Sequence, residues 1–179
     1  MTLIVCPLSH VNAVVAERRP SHVITLLDPV SLIDELEGYG PGRHLRLGVH
    51  DIPELTDGLI APDETTVQAI LAFGADWAGE APLLVHCWAG ISRSTATAFT
   101  LACERNPDVD ERDIARAMRE ASRTAKPNRR LVALADDMLG RSGRMVDAAD
   151  SIGQGDPAYE GEPFDLPIRY GSPEPACGR

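Results

Sequence analysis

Lysine is almost missing from this chain of 179 residues: a single one, Lys126, stands beside 16 arginines. Against these 17 cations there are 27 carboxylates, so the formal net charge is −10 and the isoelectric point lies near 4.9. So acidic a surface argues against a general nucleic-acid binder, whose phosphate contacts need basic side chains. It also weighs against a polyanionic ligand. Long apolar runs are missing too. No stretch of 18 apolar residues occurs, so neither a transmembrane helix nor a membrane partner is expected. The start, Met1-Thr2-Leu3-Ile4-Val5-Cys6-Pro7, has no basic segment, and Pro7 breaks its apolar run; it does not read as a signal peptide. Cysteine is sparse: Cys6, Cys87, Cys103 and Cys177 form no CxxC pair and share no metal-ligand spacing with histidine. Neither a disulfide framework nor a cysteine-based metal site follows from that pattern, and the expectation is a cytoplasmic protein with free thiols.

What remains is ordinary globular material, with 44% hydrophobic and 25% charged residues. The length suits one domain with a core. Strands are expected at Leu3–Cys6, His22–Leu27, His44–Val49 and Pro82–Val85. Helices are expected from a Ser9 cap to Arg18, over Ser31–Glu37, from Asp63 to about Ala78, and from the loop after Cys87 to about Arg105. Asp110 caps a helix over Glu111–Ala121, and Asn128 caps one over Arg129–Leu139. Gly140 interrupts it before a further helix over Arg141–Ile152. Strands alternate with helices and give way to a helical C-terminal half, which predicts an α/β fold with a central, largely parallel sheet of four to five strands. Residues 1–152 form the expected domain. Residues 153–179 hold 5 Gly and 5 Pro in 27 positions and read as an irregular tail without its own core. Its apolar patch Phe164–Ile168 either docks on the domain or a neighbouring subunit, or is solvated.

The chemistry concentrates in one stretch. The apolar run Leu83-Leu84-Val85 ends in His86-Cys87; Gly90 follows, then Arg93-Ser94 and a small-residue helix. A strand, a tight loop and a helix N-terminus form an anion cradle, because the loop amides and the helix dipole point at one spot. The backbone from Trp88 through Ala89, Gly90, Ile91 and Ser92 to Arg93 would supply those amides. Cys87 lies at the base of the cradle, where amides and guanidinium favour the thiolate, the form in which a thiol is nucleophilic. The planar fork of Arg93 suits bidentate contact with a tetrahedral oxyanion, a geometry lysine lacks. Gly90 lets the backbone turn with an unusual φ. A cysteine and an arginine six positions apart carry little by themselves among 4 Cys and 16 Arg. The weight lies on His86, Gly90 and Ser94 together with the strand-to-helix context.

His86-Cys87-x-x-Gly90-x-x-Arg93-Ser94 resembles the signature loop of the cysteine-dependent tyrosine and dual-specificity protein phosphatases. The resemblance implies a three-layer α/β sandwich over roughly residues 2–140. It implies a phosphoric monoester hydrolase that works through a phosphocysteine intermediate and needs no metal or cofactor. Its substrate would be a phosphorylated protein or peptide, with phosphate as product. Cys87 would be the nucleophile and Arg93 the clamp. Ser94 would donate to the leaving sulfur when the intermediate breaks down, and His86 would position the loop. The general acid of the family comes from a loop some thirty-odd residues before the cysteine. Asp51, in Gly48-Val49-His50-Asp51-Ile52-Pro53, fits that place, although the Trp-Pro-Asp triplet of the tyrosine-specific branch is absent. Asp57 is the second candidate, and Asp63 fits a helix cap. Pro127-Asn128 resembles the pair before the last helix of dual-specificity enzymes, which puts Asn128 beside the loop. The cluster Arg123, Lys126, Arg129 and Arg130 either lines a substrate rim or solvates a helix start. Trp88 is expected to pack under or beside the loop, and Ser92 reads as a cap hydroxyl.

Short segments on both sides of the core imply few recognition loops, and the resemblance to dual-specificity enzymes implies a shallow site open to phosphoserine and phosphothreonine as well as phosphotyrosine. Phosphoinositide or inositol phosphate phosphatases are an alternative, but their loops tend to carry lysines where this chain has Trp88, Ala89, Ile91 and Ser92. A sulfurtransferase loop is usually shorter and lacks this arginine spacing. A silent phosphate-binding module usually lacks the cysteine. Cys6 and Cys103 read as buried structural thiols or as disulfide partners that protect Cys87. The oligomeric state is open.

Overall fold

The computed structural model describes residues 1–170. Their elements follow the order β1 (Thr2–Pro7), α1 (Val11–Arg18), β2 (His22–Leu27), β3 (His44–Gly48), α2 (Glu64–Asp76), β4 (Leu83–Cys87), α3 (Arg93–Glu104), α4 (Glu111–Ala121), α5 (Arg129–Met138), α6 (Arg144–Ser151) and β5 (Phe164–Pro167). The strands form one mixed sheet in the order β3-β2-β4-β1-β5. Four are parallel, and β5 runs antiparallel to β1. The fold is therefore α/β with a mostly parallel sheet.

The inner strands β1, β2 and β4 are mostly apolar and almost wholly buried because helices cover both their faces. On one face Val11 and Val14 of α1 pack against Ile4, Cys6, Val23 and Leu84. On the other lie α2 to α6, with α3 innermost: every residue from Arg93 to Cys103 is buried. The small side chains of Thr95, Ala96, Thr97 and Ala98 let this helix approach the sheet, where Phe99 joins Leu3, Val5, Leu83 and Val85 in the main core. Three caps sit where the sequence places them. Asp63 accepts from the Thr66 amide at 2.9 Å, with Thr66 Oγ1 accepting in return from the Asp63 amide. Asp110 accepts from the Arg112 amide at 2.9 Å, and Asn128 from the Leu131 amide at 3.1 Å. Each satisfies an amide that the first helical turn leaves without a partner.

Three expectations are corrected. Ser9 caps nothing; a 3₁₀ turn over Leu8–His10 precedes α1, and the Ser9 hydroxyl donates to Glu160 instead. No helix forms over Ser31–Glu37: a 3₁₀ turn ends at Ser31, and the Leu36 amide donates to Nδ1 of His44 rather than to a helical carbonyl. A stretch of seven residues is too short to hold a helix by propensity, so this one tertiary bond outweighs it. The third correction concerns the tail. Residues 153–163 are irregular, but Phe164–Pro167 is the edge strand β5, and Leu166 and Ile168 are buried in the domain core. The domain therefore extends past residue 152. Asn106 secures the new edge, donating to the Ile168 carbonyl at 2.8 Å and accepting from the Tyr170 amide at 2.9 Å. Residues 171–179, the rest of the expected tail with Cys177, lie outside the described residues.

Candidate active site

All four parallel strands end at the same edge of the sheet, and the loops beyond their C-termini meet there, where α/β sheets place ligands. Cys87 closes β4, and its Sγ lies 3.2 Å from the Ser94 hydroxyl on the first turn of α3. Between them the backbone loops over Trp88–Ser92. The carbonyls of this loop are drawn outward by the scaffold. Trp88 O accepts from the Leu8 amide (3.1 Å), Ala89 O from Gly161 (2.8 Å), Ile91 O from Lys126 (2.9 Å) and Ser92 O from Asn128 (3.2 Å). None of the amides from Trp88 to Ser92 donates to a protein acceptor among the described residues. With the carbonyls turned out, these amides line a concavity at the N-terminus of a twelve-residue helix, an arrangement that can hold an anion.

Gly90 makes the turn possible. Its φ is +69°, and a Cβ there would lie 2.6 Å from the Pro7 nitrogen and 2.8 Å from the Cys6 carbonyl carbon. Both a left-handed conformation and a close approach to β1 require glycine.

Arg93 is 4% exposed, and its anchoring is one-sided. Nη1 donates to Asp28 Oδ1 at 2.8 Å and to the Val49 carbonyl at 2.7 Å, which uses both of its protons. Nε is buried without a hydrogen bond among the described residues, 3.9 Å from Asp51 Oδ2. The guanidinium is thus fixed by one corner, and its Nε–Nη2 edge, the fork that grips an oxyanion, is left over. Asp28 escaped the sequence reading. Its one signal is its position, an acid directly after β2 at the ligand-binding edge of the sheet.

Asp51 belongs to the site by contact. Its Oδ1 accepts from the Ser92 hydroxyl at 2.7 Å and from Asn128 Nδ2 at 2.8 Å. With Oδ1 so engaged, Oδ2 is the oxygen that faces Arg93. Ser92 therefore orients a carboxylate and caps nothing, which corrects its sequence reading. Asn128 does two jobs, holding α5 with its oxygen and Asp51 with its nitrogen. Asp57 is exposed further along the loop and makes no hydrogen bond to these groups.

Asp28, Ser31, Asp51, Trp88, Ala89 and Arg93 line a cleft of about 350 Å³. Trp88, expected beneath or beside the loop, is 50% exposed at its rim. A larger hollow of about 640 Å³ opens on the far side of Asp51, with Lys126 and Arg129 at its edge and Val132 and Val146 in its wall. Of the basic cluster, Arg123 pairs with Asp156, Arg129 with Asp150, and Arg130 with the Pro62 carbonyl.

His86 is fully buried on the opposite face of the sheet from Cys87, and burial lowers it to about 4. Cys6 also faces that way, among Ile4, Val23 and Leu84, and burial followed by the nearby Cys87 pushes its thiol up to about 12. Cys103 sits at the far end of α3, about 15 Å along the axis from its start, and burial raises its thiol as well. Side chains on opposite faces, or a helix length apart, cannot reach disulfide geometry with Cys87 without backbone movement.

No protein-family model matches the chain, and no curated protein matches it. Among the described residues no helix is long and apolar enough to cross a membrane.

Proposed function

We propose that the chain is a cysteine-dependent phosphomonoesterase, a protein phosphatase that acts through a phosphocysteine intermediate. The observation that carries this reading is the meeting of three distant segments: Asp51 is hydrogen-bonded by Ser92 of the loop and Asn128 of α5, with Arg93 Nε 3.9 Å away. The resemblance of residues 86–94 to the phosphatase signature supports the same assignment.

The Cys87 thiolate attacks phosphorus in line with the leaving oxygen. The loop amides and the Nε–Nη2 edge of Arg93 hold the equatorial oxygens as charge spreads over them. The P–O bond breaks, and its oxygen takes the proton from Asp51 Oδ2. Asp51, now a carboxylate, accepts a proton from the water that attacks the phosphocysteine. Sulfur leaves with the Ser94 hydroxyl donating to it, and phosphate and the free thiolate are restored. An acidic protein whose loop lacks lysine favours a phosphorylated protein or peptide over an inositol polyphosphate.

The test is hydrolysis of p-nitrophenyl phosphate in the presence of a chelator. Wild-type turnover that Cys87→Ser abolishes supports the proposal. An inactive wild type that binds a phosphopeptide would make the chain a binding module. On an alkyl phosphate, whose leaving group needs a proton, Asp51→Asn is expected to lower kcat by about 10²-fold. An unchanged rate would remove Asp51 from the acid role.

A further inference from the structure

Behind the cradle runs a chain of buried polar groups that the chemistry above does not use. The Leu36 amide donates to His44 Nδ1 at 3.1 Å, His44 Nε2 lies 2.8 Å from Thr25 Oγ1, and Thr25 Oγ1 lies 2.6 Å from His86 Nε2. Thr25, His44 and His86 are all buried. They come from three neighbouring strands: β2 pairs Thr25 with His86 of β4 on one side and with Arg46 of β3 on the other.

Hydrogen-bond polarity along this chain has one solution. A backbone amide can only donate, so His44 Nδ1 carries no proton. Burial, followed by the charge of Arg46, lowers His44 to about 4, so its ring is neutral and its proton is on Nε2. That proton goes to the Thr25 oxygen. Thr25 has one hydrogen and, among the described residues, no partner other than the two rings, so it donates to His86 Nε2. If His86 Nε2 held a proton instead, the buried hydroxyl hydrogen would have no acceptor. His86 is neutral as well, so its proton lies on Nδ1. Among the described residues that nitrogen makes no hydrogen bond of good geometry, and the Cys87 main chain is the polar group beside the ring that is left for it. A buried N–H left without an acceptor is rare in a native fold. Here the ring's remaining polar neighbour is the main chain of the residue that must carry a negative charge.

We propose that Thr25 and His44 are positioning residues of the active site: with the Leu36 amide as its fixed end, their relay locks His86 in the Nδ1–H tautomer and turns that N–H toward Cys87. In the opposite tautomer a lone pair would face Cys87 and oppose its thiolate. The relay also gives the non-helical stretch after β2 a purpose, since a helix there would bury the Leu36 amide in its own ladder. The effect on rate rests on the phosphatase reading, whereas the tautomer itself does not.

The experiment is ¹⁵N NMR of the histidine rings at neutral pH, on the wild type, Thr25→Val and Thr25→Ser, with His86 assigned by its loss in His86→Gln. Wild type and Thr25→Ser are expected to show His86 protonated on Nδ1, and Thr25→Val, which keeps the shape and deletes the hydroxyl, to lose that signature. In parallel, Cys87 alkylation by iodoacetamide at pH 7 is expected to slow by about tenfold in Thr25→Val and to recover in Thr25→Ser, the scale at which partners behind a site act. A wild-type His86 protonated on Nε2 overturns the proposal even if Thr25→Val fails to fold. So does a Thr25→Val protein that keeps the Nδ1–H signature and the alkylation rate. A chain without phosphatase activity but with the Nδ1–H tautomer and its loss in Thr25→Val would keep the relay and remove only the function proposed for Cys87.

Discussion

The two buried histidines set an acid limit on the fold. Burial holds His44 and His86 at about 4, while an unfolded chain returns each to the ordinary value near 6.5. Between those values the unfolded chain binds protons that the folded one refuses, so stability is complete above about pH 6.5 and falls as pH drops toward 4. The loss is on the order of 1–3 kcal/mol per histidine. The urea midpoint is therefore expected to be clearly lower at pH 5 than at pH 7, and equal midpoints would contradict the burial argument. At this scale the sequence announces Cys87, Gly90, Arg93 and Ser94, because a loop between a strand and a helix keeps them in one short reach. Asp28, Thr25 and His44 carry no such mark. They reach the site only because β2 lies between β3 and β4, and nothing local in the sequence sets that neighbourhood.

Elements differ in how far their ends are written in local chemistry. α2, α4 and α5 begin at Asp63, Asp110 and Asn128, caps whose side chains bond the first turn, and their starts are legible for that reason. Segment 31–37 is apolar and acidic at helical spacing, yet a ring nitrogen from β3 takes the amide that a helix needs. β5 is hidden by Pro163 and Pro167, although an edge strand tolerates proline and the alternation is present, Phe164 and Leu166 inward, Asp165 and Pro167 outward. Asn128 links an element to the chemistry, and its two roles separate by substitution. Asn128→Ala removes cap and acid contact together, and is expected to lose about 1 kcal/mol of stability along with activity. Asn128→Asp keeps a capping oxygen but sets a second carboxylate against Asp51. Its melting temperature is expected to stay closer to that of the wild type while kcat on an alkyl phosphate falls about tenfold or more. Thermal melts beside kcat for both variants decide the point; parallel losses in the two variants would leave Asn128 a cap alone.

For the molecule as a whole, the C-terminal segment is part of the frame. Arg119 gathers the carbonyls of Ser122 and Ala125 before α5 and of Ile152 after α6. Gly161 bonds the cradle at Ala89 O, and β5 seals the sheet. A chain ending at Glu162 loses Phe164, Leu166 and Ile168 from the core, which removes on the order of 5 kcal/mol or more. That is comparable with the whole stability of an ordinary domain. Such a chain is expected to be insoluble or to melt well below the full-length protein, and an unchanged melting temperature would show the edge to be dispensable.

The same arrangement has a consequence for how the protein is made. β1 leaves the ribosome before either of its partners, β4 at residues 83–87 and β5 at residues 164–167. At about 5–20 residues per second, roughly ten to thirty seconds separate the synthesis of β1 from that of its last neighbour. Throughout that interval at least one backbone edge of the apolar ribbon Leu3-Ile4-Val5-Cys6 is unpaired, the form in which nascent chains aggregate. The interval before residue 168 emerges is when this chain depends most on chaperones, and slowing translation late in the message lengthens it.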